Sequence, residues 1–131
     1  MSLNPVTFTI ENDMLIAQAS GELSFEDIIN HYKHLDDEVD FYIGIPAIYD
    51  FSKVDKIQGD ISHFEKIAAD MGDSEIVNVA SYVAIIVDED NSSMNAIFNA
   101  YCKMVDFTLM NAKVFHHYDD ALNWLKMQGL P

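Results

Sequence analysis

The feature that most constrains the fold is a run of seven residues, 81–87, in which every residue after the first is apolar. Its valine and isoleucine residues favour an extended strand, and continuous apolarity is typical of a strand that is buried on both faces. A sheet that is buried on both faces needs a layer of helices on each side. This run therefore predicts the central strand of an α/β domain.

Two shorter segments near the N-terminus predict a β-hairpin. Residues 6–11 and 14–19 have extended patterns, and the Asn12-Asp13 pair between them is a two-residue turn signal. Gly21 follows and predicts the end of the second strand. The hairpin is therefore expected to precede the first helix, which Ser24 can cap.

Helical and extended patterns alternate through the rest of the chain. They predict helices over about 25–36, 60–71, 94–109 and 118–128, and strands over 45–51, 81–87 and 113–115. The resulting order, ββαβαβαβα, implies right-handed crossovers between parallel strands. The expected fold class is α/β, a two- to three-layer sandwich with a five-stranded, mostly parallel sheet and an antiparallel N-terminal hairpin. We expect one domain over residues 1–131, large enough to bury about two thirds of its unfolded surface.

The charge of the chain narrows the range of partners. The sequence has 22 acidic and 7 basic residues, all of the basic ones lysine, and a formal net charge of −15. Recognition of nucleic acid or polyphosphate relies on clustered cations, and above all on the guanidinium group. We therefore expect no nucleic acid partner, no acidic lipid surface and no polyphosphate cofactor. The simplest role of the negative charge is to keep the protein in solution.

The cysteine content and the N-terminus indicate the compartment. Cys102 is the single cysteine, so no intramolecular disulfide can form, and the N-terminus lacks a basic and then apolar secretion signal. No apolar run is long enough to cross a bilayer, so we expect no stable membrane insertion. A cytoplasmic location is the corresponding prediction.

Three segments carry a resemblance to a known family. They are residues 21–24 (GELS), residues 49–54 (YDFSKV) and residues 119–125 (DDALNWL). In this order and spacing, and over about residues 6–127, the chain resembles the SpoIIAA-like family of STAS-type domains, the fold of sulfate-transporter and anti-sigma-factor-antagonist domains. The resemblance implies a small cytoplasmic, non-enzymatic module without cofactors.

The same resemblance implies a mode of regulation that this chain does not fully match. Antagonists of the family bind a partner kinase around their second helix, and phosphorylation of a serine at the start of that helix releases the partner. Gln58 and Gly59 stand where the antagonist pattern has Asp-Ser. Ser52 and Ser62 are nearby hydroxyls, but neither occupies the motif position. We therefore expect a binding module without the phosphoserine switch.

The leading hypothesis is a non-enzymatic protein-binding or regulatory module that uses the surface made by the second and third predicted helices and the turns after the third and fourth strands. In this hypothesis the strand over 45–51 stops at an Asp-x-Ser turn, which Asp50 and Ser52 shape, and the other predicted site residues face the partner. The predicted partner-binding residues are Asp50, Ser52, Gly59, Asp60, Ser62 and Asp88.

An alternative hypothesis is a carrier of a small apolar or lipid-like ligand, held beneath the predicted helices over 60–71 and 94–109. Bulky, partly flexible side chains could line such a space, although residues at helical spacing are more often ordinary core. The candidate lining residues are Phe64, Met71, Met94, Phe98, Tyr101 and Met104.

A second alternative is a metal-dependent enzyme in which the carboxylates of Asp50 and residues 88–90 converge at the carboxyl edge of the sheet. The histidines of the chain do not strengthen this metal-site alternative. His31 and His34 form one pair and His116 and His117 another, but neither pair has a third ligand at a diagnostic spacing. We interpret them as exposed histidines, and expect no metal and no cofactor.

The sequence leaves the oligomeric state open, and a homodimer could form through the third helix or the edge hairpin.

Overall fold

Five strands form one sheet in the order β1-β2-β3-β4-β5. The computed structural model describes residues 6–35, 44–58, 81–105 and 110–128. The elements in these ranges are β1 (Thr7–Glu11), β2 (Met14–Ser24), α1 (Phe25–Leu35), β3 (Ala47–Gln58), β4 (Ser81–Ile86), α2 (Ser92–Val105), β5 (Met110–Phe115) and α3 (Tyr118–Met127). The helix predicted over 60–71 lies outside the described residues.

The strand directions match the predicted fold class. β1 pairs antiparallel with β2, whereas β2, β3, β4 and β5 pair parallel with their neighbours. The prediction of an α/β domain with a mostly parallel five-stranded sheet and an antiparallel edge hairpin is confirmed. α1, which follows β2, and α2, which follows β4, pack on the same face of the sheet, as right-handed connections between successive parallel strands require.

Each face of the sheet has its own apolar core. Alternate residues of a strand point to opposite faces, so Tyr49 and Phe51 of β3 lie in the larger core, with Ile28 of α1 and Phe98 of α2. Ile48 lies in the smaller core beneath α3. The helices therefore cover both faces of the sheet, as the apolarity of β4 predicts.

Local signals place the hairpin turn and the start of α1 correctly. Asn12 and Asp13 have φ of 52° and 60°, the left-handed conformation that a two-residue hairpin turn requires. At the start of α1, the Ser24 side chain accepts a hydrogen bond from the Asp27 amide at 3.1 Å. The Asp27 carboxylate accepts one from the Ser24 amide at 2.9 Å. This reciprocal pair is a capping box with Asp as its acid, so the predicted cap is confirmed.

Two predicted strand ends are wrong. β2 continues through Gly21 to Ser24, and β3 continues past Phe51 to Gln58. Gly21 has φ of 74° and lies at a shift in register, so it bends β2 without ending it. The two extensions pair with each other as a two-stranded parallel segment, residues 20–24 with 53–58, which we call the ribbon.

Two further boundaries differ by a few residues. β4 ends at Ile86, one residue earlier than predicted, although the Val87 amide still bonds to the Phe115 carbonyl at 3.0 Å. β5 begins at Met110, three residues before the predicted start. α2 is described to Val105, and the rest of the predicted helix, residues 106–109, lies outside the described ranges. Such differences at element ends are small and leave the topology unchanged.

Candidate functional site

The carboxyl ends of the four parallel strands meet at one edge of the sheet, where α/β proteins commonly bind their ligands. β3 pairs with β4 only as far as Asp50 and Ile86, and the ribbon extends beyond that point. We use the name carboxyl edge for the ribbon, residues 88–91, the first turn of α2, and His116. This edge is the candidate functional site.

The Asp-x-Ser motif forms a bulge within β3. Gln18 of β2 pairs with Asp50 and Ser20 pairs with Lys53, so β3 carries one residue more than β2 over this stretch. One carboxylate oxygen of Asp50 accepts hydrogen bonds from the Ser52 amide at 3.0 Å and from the Ser52 hydroxyl at 2.6 Å. The motif therefore stabilises the extra residue, and the prediction that it ends the strand is wrong.

Asp50→Ala is expected to lower the free energy of unfolding by about 1–2 kcal/mol, because it leaves a half-buried amide and hydroxyl without their acceptor. Asp50→Asn keeps an acceptor oxygen at the same place and should lose less than half as much. Urea unfolding of the two variants measures the difference. Equal losses for Ala and Asn would contradict the hydrogen-bonding role of Asp50.

The ribbon has a buried side and a solvent side. Val54 and Ile57 are buried, whereas Lys53, Asp55 and Lys56 are exposed. The register shift between Gly21 and Glu22 keeps Val54 and Ile57 on the same side, so the ribbon is anchored to the core and leaves a polar outer surface. Half-buried Ser52 joins the ribbon to the bulge.

Side chains also link the two strands of the ribbon. The Gln58 amide donates to Glu22 at 2.6 Å, and the Lys56 ammonium lies 3.4 Å from the same carboxylate. These two contacts, the bond from Gln58 first, hold the pKa of Glu22 below its usual value. Because both partners of the ion pair are exposed, it contributes little to stability and mainly orders the surface.

Asn91 connects the ribbon to α2. Its amide nitrogen donates to the Asp55 carbonyl at 2.9 Å and lies 3.5 Å from the Val54 carbonyl. Its side-chain oxygen accepts from the Met94 amide at 3.1 Å and so caps α2. β4 ends before it reaches this level, and the Asn91 side chain supplies a donor to β3 beyond that end. One residue thereby fixes both the ribbon and the start of the helix.

Asn95 extends this network to β5. Its amide nitrogen donates to the carbonyls of Asp88 at 2.9 Å and Asn91 at 2.8 Å. Its oxygen is then the atom that faces His116 Nε2 at 2.9 Å, so Nε2 carries the hydrogen of this bond. The ends of β3, β4 and β5 are in this way joined by two asparagines and one histidine.

The other predicted site residues are distributed as follows. Asp88 is exposed, and its carboxylate accepts from the Asp90 amide at 3.0 Å. Asp50 thus bonds within the bulge of β3, and Asp88 bonds within the turn after β4. Across residues 6–35, 44–58, 81–105 and 110–128, no three His, Cys, Asp or Glu side chains form a group that could hold a metal ion. Gly59, Asp60 and Ser62 lie outside the described ranges.

The predicted apolar pocket residues that the structure describes belong to the core. Met94, Phe98 and Tyr101 are 0%, 3% and 7% exposed, and the Phe98 ring lies 5.3 Å from that of Phe51. Phe64, Met71 and the Met104 side chain lie outside the described part of the structure. Depressions of about 250 and 200 Å³ lie over β1, β2 and β3, and Met94, Phe98 and Tyr101 are not among the described residues that line them.

The histidines do not share one environment. His34, His116 and His117 are exposed, as expected, but His31 is only 2% exposed. The prediction of an exposed His31 is wrong because the residue lies one turn after Ile28, on the apolar side of α1.

No helix in the described part of the chain combines the length and apolarity needed to cross a membrane.

Comparisons with known proteins identify the fold. No protein-family model and no curated protein matches the sequence. Among solved structures, a protein of the DUF3478 family from Shewanella loihica PV-4, described as having a SpoIIAA-like fold, matches with a TM-score of 0.58 and 24% identity, over 95% of this chain and 98% of that one.

Two anti-sigma factor antagonists have the same fold. SpoIIAA in its unphosphorylated form matches with a TM-score of 0.57 and 11% identity, over 95% of this chain and 99% of that one. An antagonist from Mycobacterium paratuberculosis matches with a TM-score of 0.56 and 14% identity, over 95% and 97%. The predicted resemblance is confirmed, and the chain has a SpoIIAA-like fold.

Proposed function

We propose that the chain is a non-enzymatic regulatory module that binds a protein partner through its carboxyl edge. The observation that supports this most is the ribbon, which extends past the end of β4 with its apolar side buried and its polar side in solvent. A surface that is fixed before binding costs less entropy when a partner docks. Two solved proteins with this fold are anti-sigma factor antagonists, a class that acts on another protein.

In this proposal the bulge and the network position the surface, and exposed side chains meet the partner. Asp50 and Ser52 hold the bulge, while Asp88 faces the partner together with Gly59, Asp60 and Ser62. The exposed carboxylates of Asp55 and residues 88–90 outnumber the lysines of the ribbon, which favours a partner with a basic surface. The module would act in the cytoplasm.

Regulation by the antagonist phosphoserine is not part of this proposal. Gln58 carries no hydroxyl, and its side chain bonds to Glu22 across the ribbon. Gly59 carries no side chain that could accept a phosphate. We infer that control of binding, where it occurs, acts through the partner or through another site.

Affinity capture from a lysate of the native host tests the proposal with charge-reversed variants. Asp55→Lys and Glu89→Lys each replace an exposed negative charge at the carboxyl edge by a positive one, a change of +2 in net charge. Glu11→Lys makes the same change at the opposite edge and serves as the control. We expect one protein to be retained by the wild type and the control, and reduced at least tenfold by both edge variants.

Quantitative mass spectrometry of the retained proteins gives the result. A protein retained equally by all four baits would contradict docking at the carboxyl edge. A protein lost only with Glu11→Lys would move the interface to the hairpin. Retention of no specific protein by the wild type would argue against the binding function itself.

A further inference from the structure

His31 is buried on the inner side of α1 without a role in the proposed docking surface. Of the polar and charged residues in the described ranges, with tyrosine counted as apolar, His31 is the one that is buried, with 2% of its surface exposed. Such a burial is costly unless the group is hydrogen-bonded and neutral. The surroundings of His31 therefore decide which protonation state the folded domain accepts.

Aromatic rings from two strands surround the imidazole. Its Nε2 lies 2.9 Å from the Tyr49 hydroxyl of β3, and its ring meets that of Tyr49 edge to face at 5.3 Å. The Phe8 ring of β1 meets it in the same way at 5.5 Å. Ala17 and Ala19 of β2 belong to the same core. Of these strand residues, Tyr49 is the one that can titrate, and on α1 the titratable groups one turn away are Asp27 before His31 and His34 after it.

This environment opposes a positive charge. Burial, and to a smaller extent the charge of His34, lower the pKa of His31 to about 4 from an ordinary value of 6.5. A histidine with a lowered pKa contributes stability that is fully present above 6.5 and is lost as the pH falls towards 4. The charge on the ring is what the site cannot accommodate.

The core beneath α1 is separate from the core beneath α3. His31, Phe8 and Tyr49 lie on the face that α1 and α2 cover, whereas Ala121 and Leu125 of α3 pack on the other face. A perturbation at His31 therefore acts first on α1. We propose that neutral His31 and Tyr49 form a latch that holds α1 on the sheet, and that protonation of His31 releases α1 while the α3 face stays folded.

Two probes follow the two faces separately during acidification. Hydrogen exchange of the backbone amides in residues 25–35, corrected for the intrinsic rate at each pH, reports on α1. The fluorescence of Trp124, the single tryptophan, reports on the α3 face, where its ring lies 5.8 Å from Tyr82 and 5.6 Å from Phe115.

We expect the opening constant of α1 to rise by about 80-fold between pH 6.5 and 4, because the open and closed states are each half titrated at one end of this interval. Trp124 fluorescence should stay native over the same interval, and the imidazole carbon shifts of His31 should titrate together with the opening. Simultaneous loss of both faces, or opening of α1 without titration of His31, would overturn the latch.

Variants separate the latch from the general effect of acid. The double variant His31→Phe/Tyr49→Phe replaces both polar partners by apolar rings, a change that can be nearly neutral for stability. It should open α1 less than threefold over the same pH range. His34→Gln, on the exposed side of α1, removes the smaller of the two causes and should keep most of the wild-type response. An unchanged response in the double variant, or a response abolished by His34→Gln, would overturn the proposal.

Discussion

Phe98→Ala is expected to lower the free energy of unfolding by about 3–5 kcal/mol, the loss that truncation of a buried phenylalanine usually causes. Phe98 is 3% exposed and lies in the larger core between α2 and β3. Its ring contacts those of Phe51 at 5.3 Å and Tyr101 at 6.4 Å. The cavity that truncation leaves would lie beneath the bulge, so the ribbon should also exchange its amides faster.

The size of this loss distinguishes a core from a ligand space. Urea unfolding of Phe98→Ala and of Ile97→Ala, a half-buried neighbour on the same helix, measures both losses. Ile97→Ala should cost about half as much, because less apolar surface is removed from the core. A loss below about 1 kcal/mol for Phe98→Ala would contradict the core assignment and favour a carrier with an open apolar pocket beneath α2.

Asn91→Ala should have the second largest effect, a loss of about 2 kcal/mol, because it removes two functions at once. The cap on the Met94 amide contributes about 1 kcal/mol. The bond to the Asp55 carbonyl contributes a similar amount. Asn91→Asp keeps the cap and loses the donor, so it should cost about 1 kcal/mol.

Asn99→Ala is the matched control for Asn91. Its side-chain amide bonds to the Asn95 carbonyl within α2 and is exposed, so its loss should stay below about 0.5 kcal/mol. Amide exchange in residues 53–58 provides a second measurement, and it should accelerate in both Asn91 variants but not in Asn99→Ala. Wild-type exchange of the ribbon in Asn91→Asp would contradict the link between Asn91 and the ribbon.

The sequence predicts those parts of the fold that local patterns determine. The Asn12-Asp13 turn, the Ser24 cap and the apolarity of β4 each depend on neighbouring residues, and each is found in the structure. Residues 90–93, Asp-Asn-Ser-Ser, are all of types that favour helix caps, and Asn91 among them caps α2. Consistent local signals of this kind favour a single topology.

The ribbon could not be predicted in the same way because its cause is not local. Gly21 and the Asp50-x-Ser52 motif are each typical of a strand end. Both strands nevertheless continue, because residues 20–24 pair with residues 53–58 about thirty positions away. A pairing partner at that distance outweighs the local signals, and the glycine and the motif become the bends that the pairing needs.

The same reason explains the residues that the sequence interpretation missed at the site. Asn91 is recognisable as a cap, but its bond to the Asp55 carbonyl reaches 36 residues back along the chain. Asn95 and His116 likewise meet only when α2 and β5 are in place. The burial of His31, by contrast, could have been predicted from the sequence, because its spacing from Ile28 places it on the apolar side of α1.

In the proposed function, a partner docks at the carboxyl edge. Hydrogen exchange of the chain, alone and in complex with the protein retained in the capture experiment, locates the docking surface. We expect at least tenfold slower exchange in residues 53–58 and 88–91 on binding, with little change in residues 118–127. Protection confined to α3 or to the β1-β2 hairpin, with the ribbon unchanged, would contradict it.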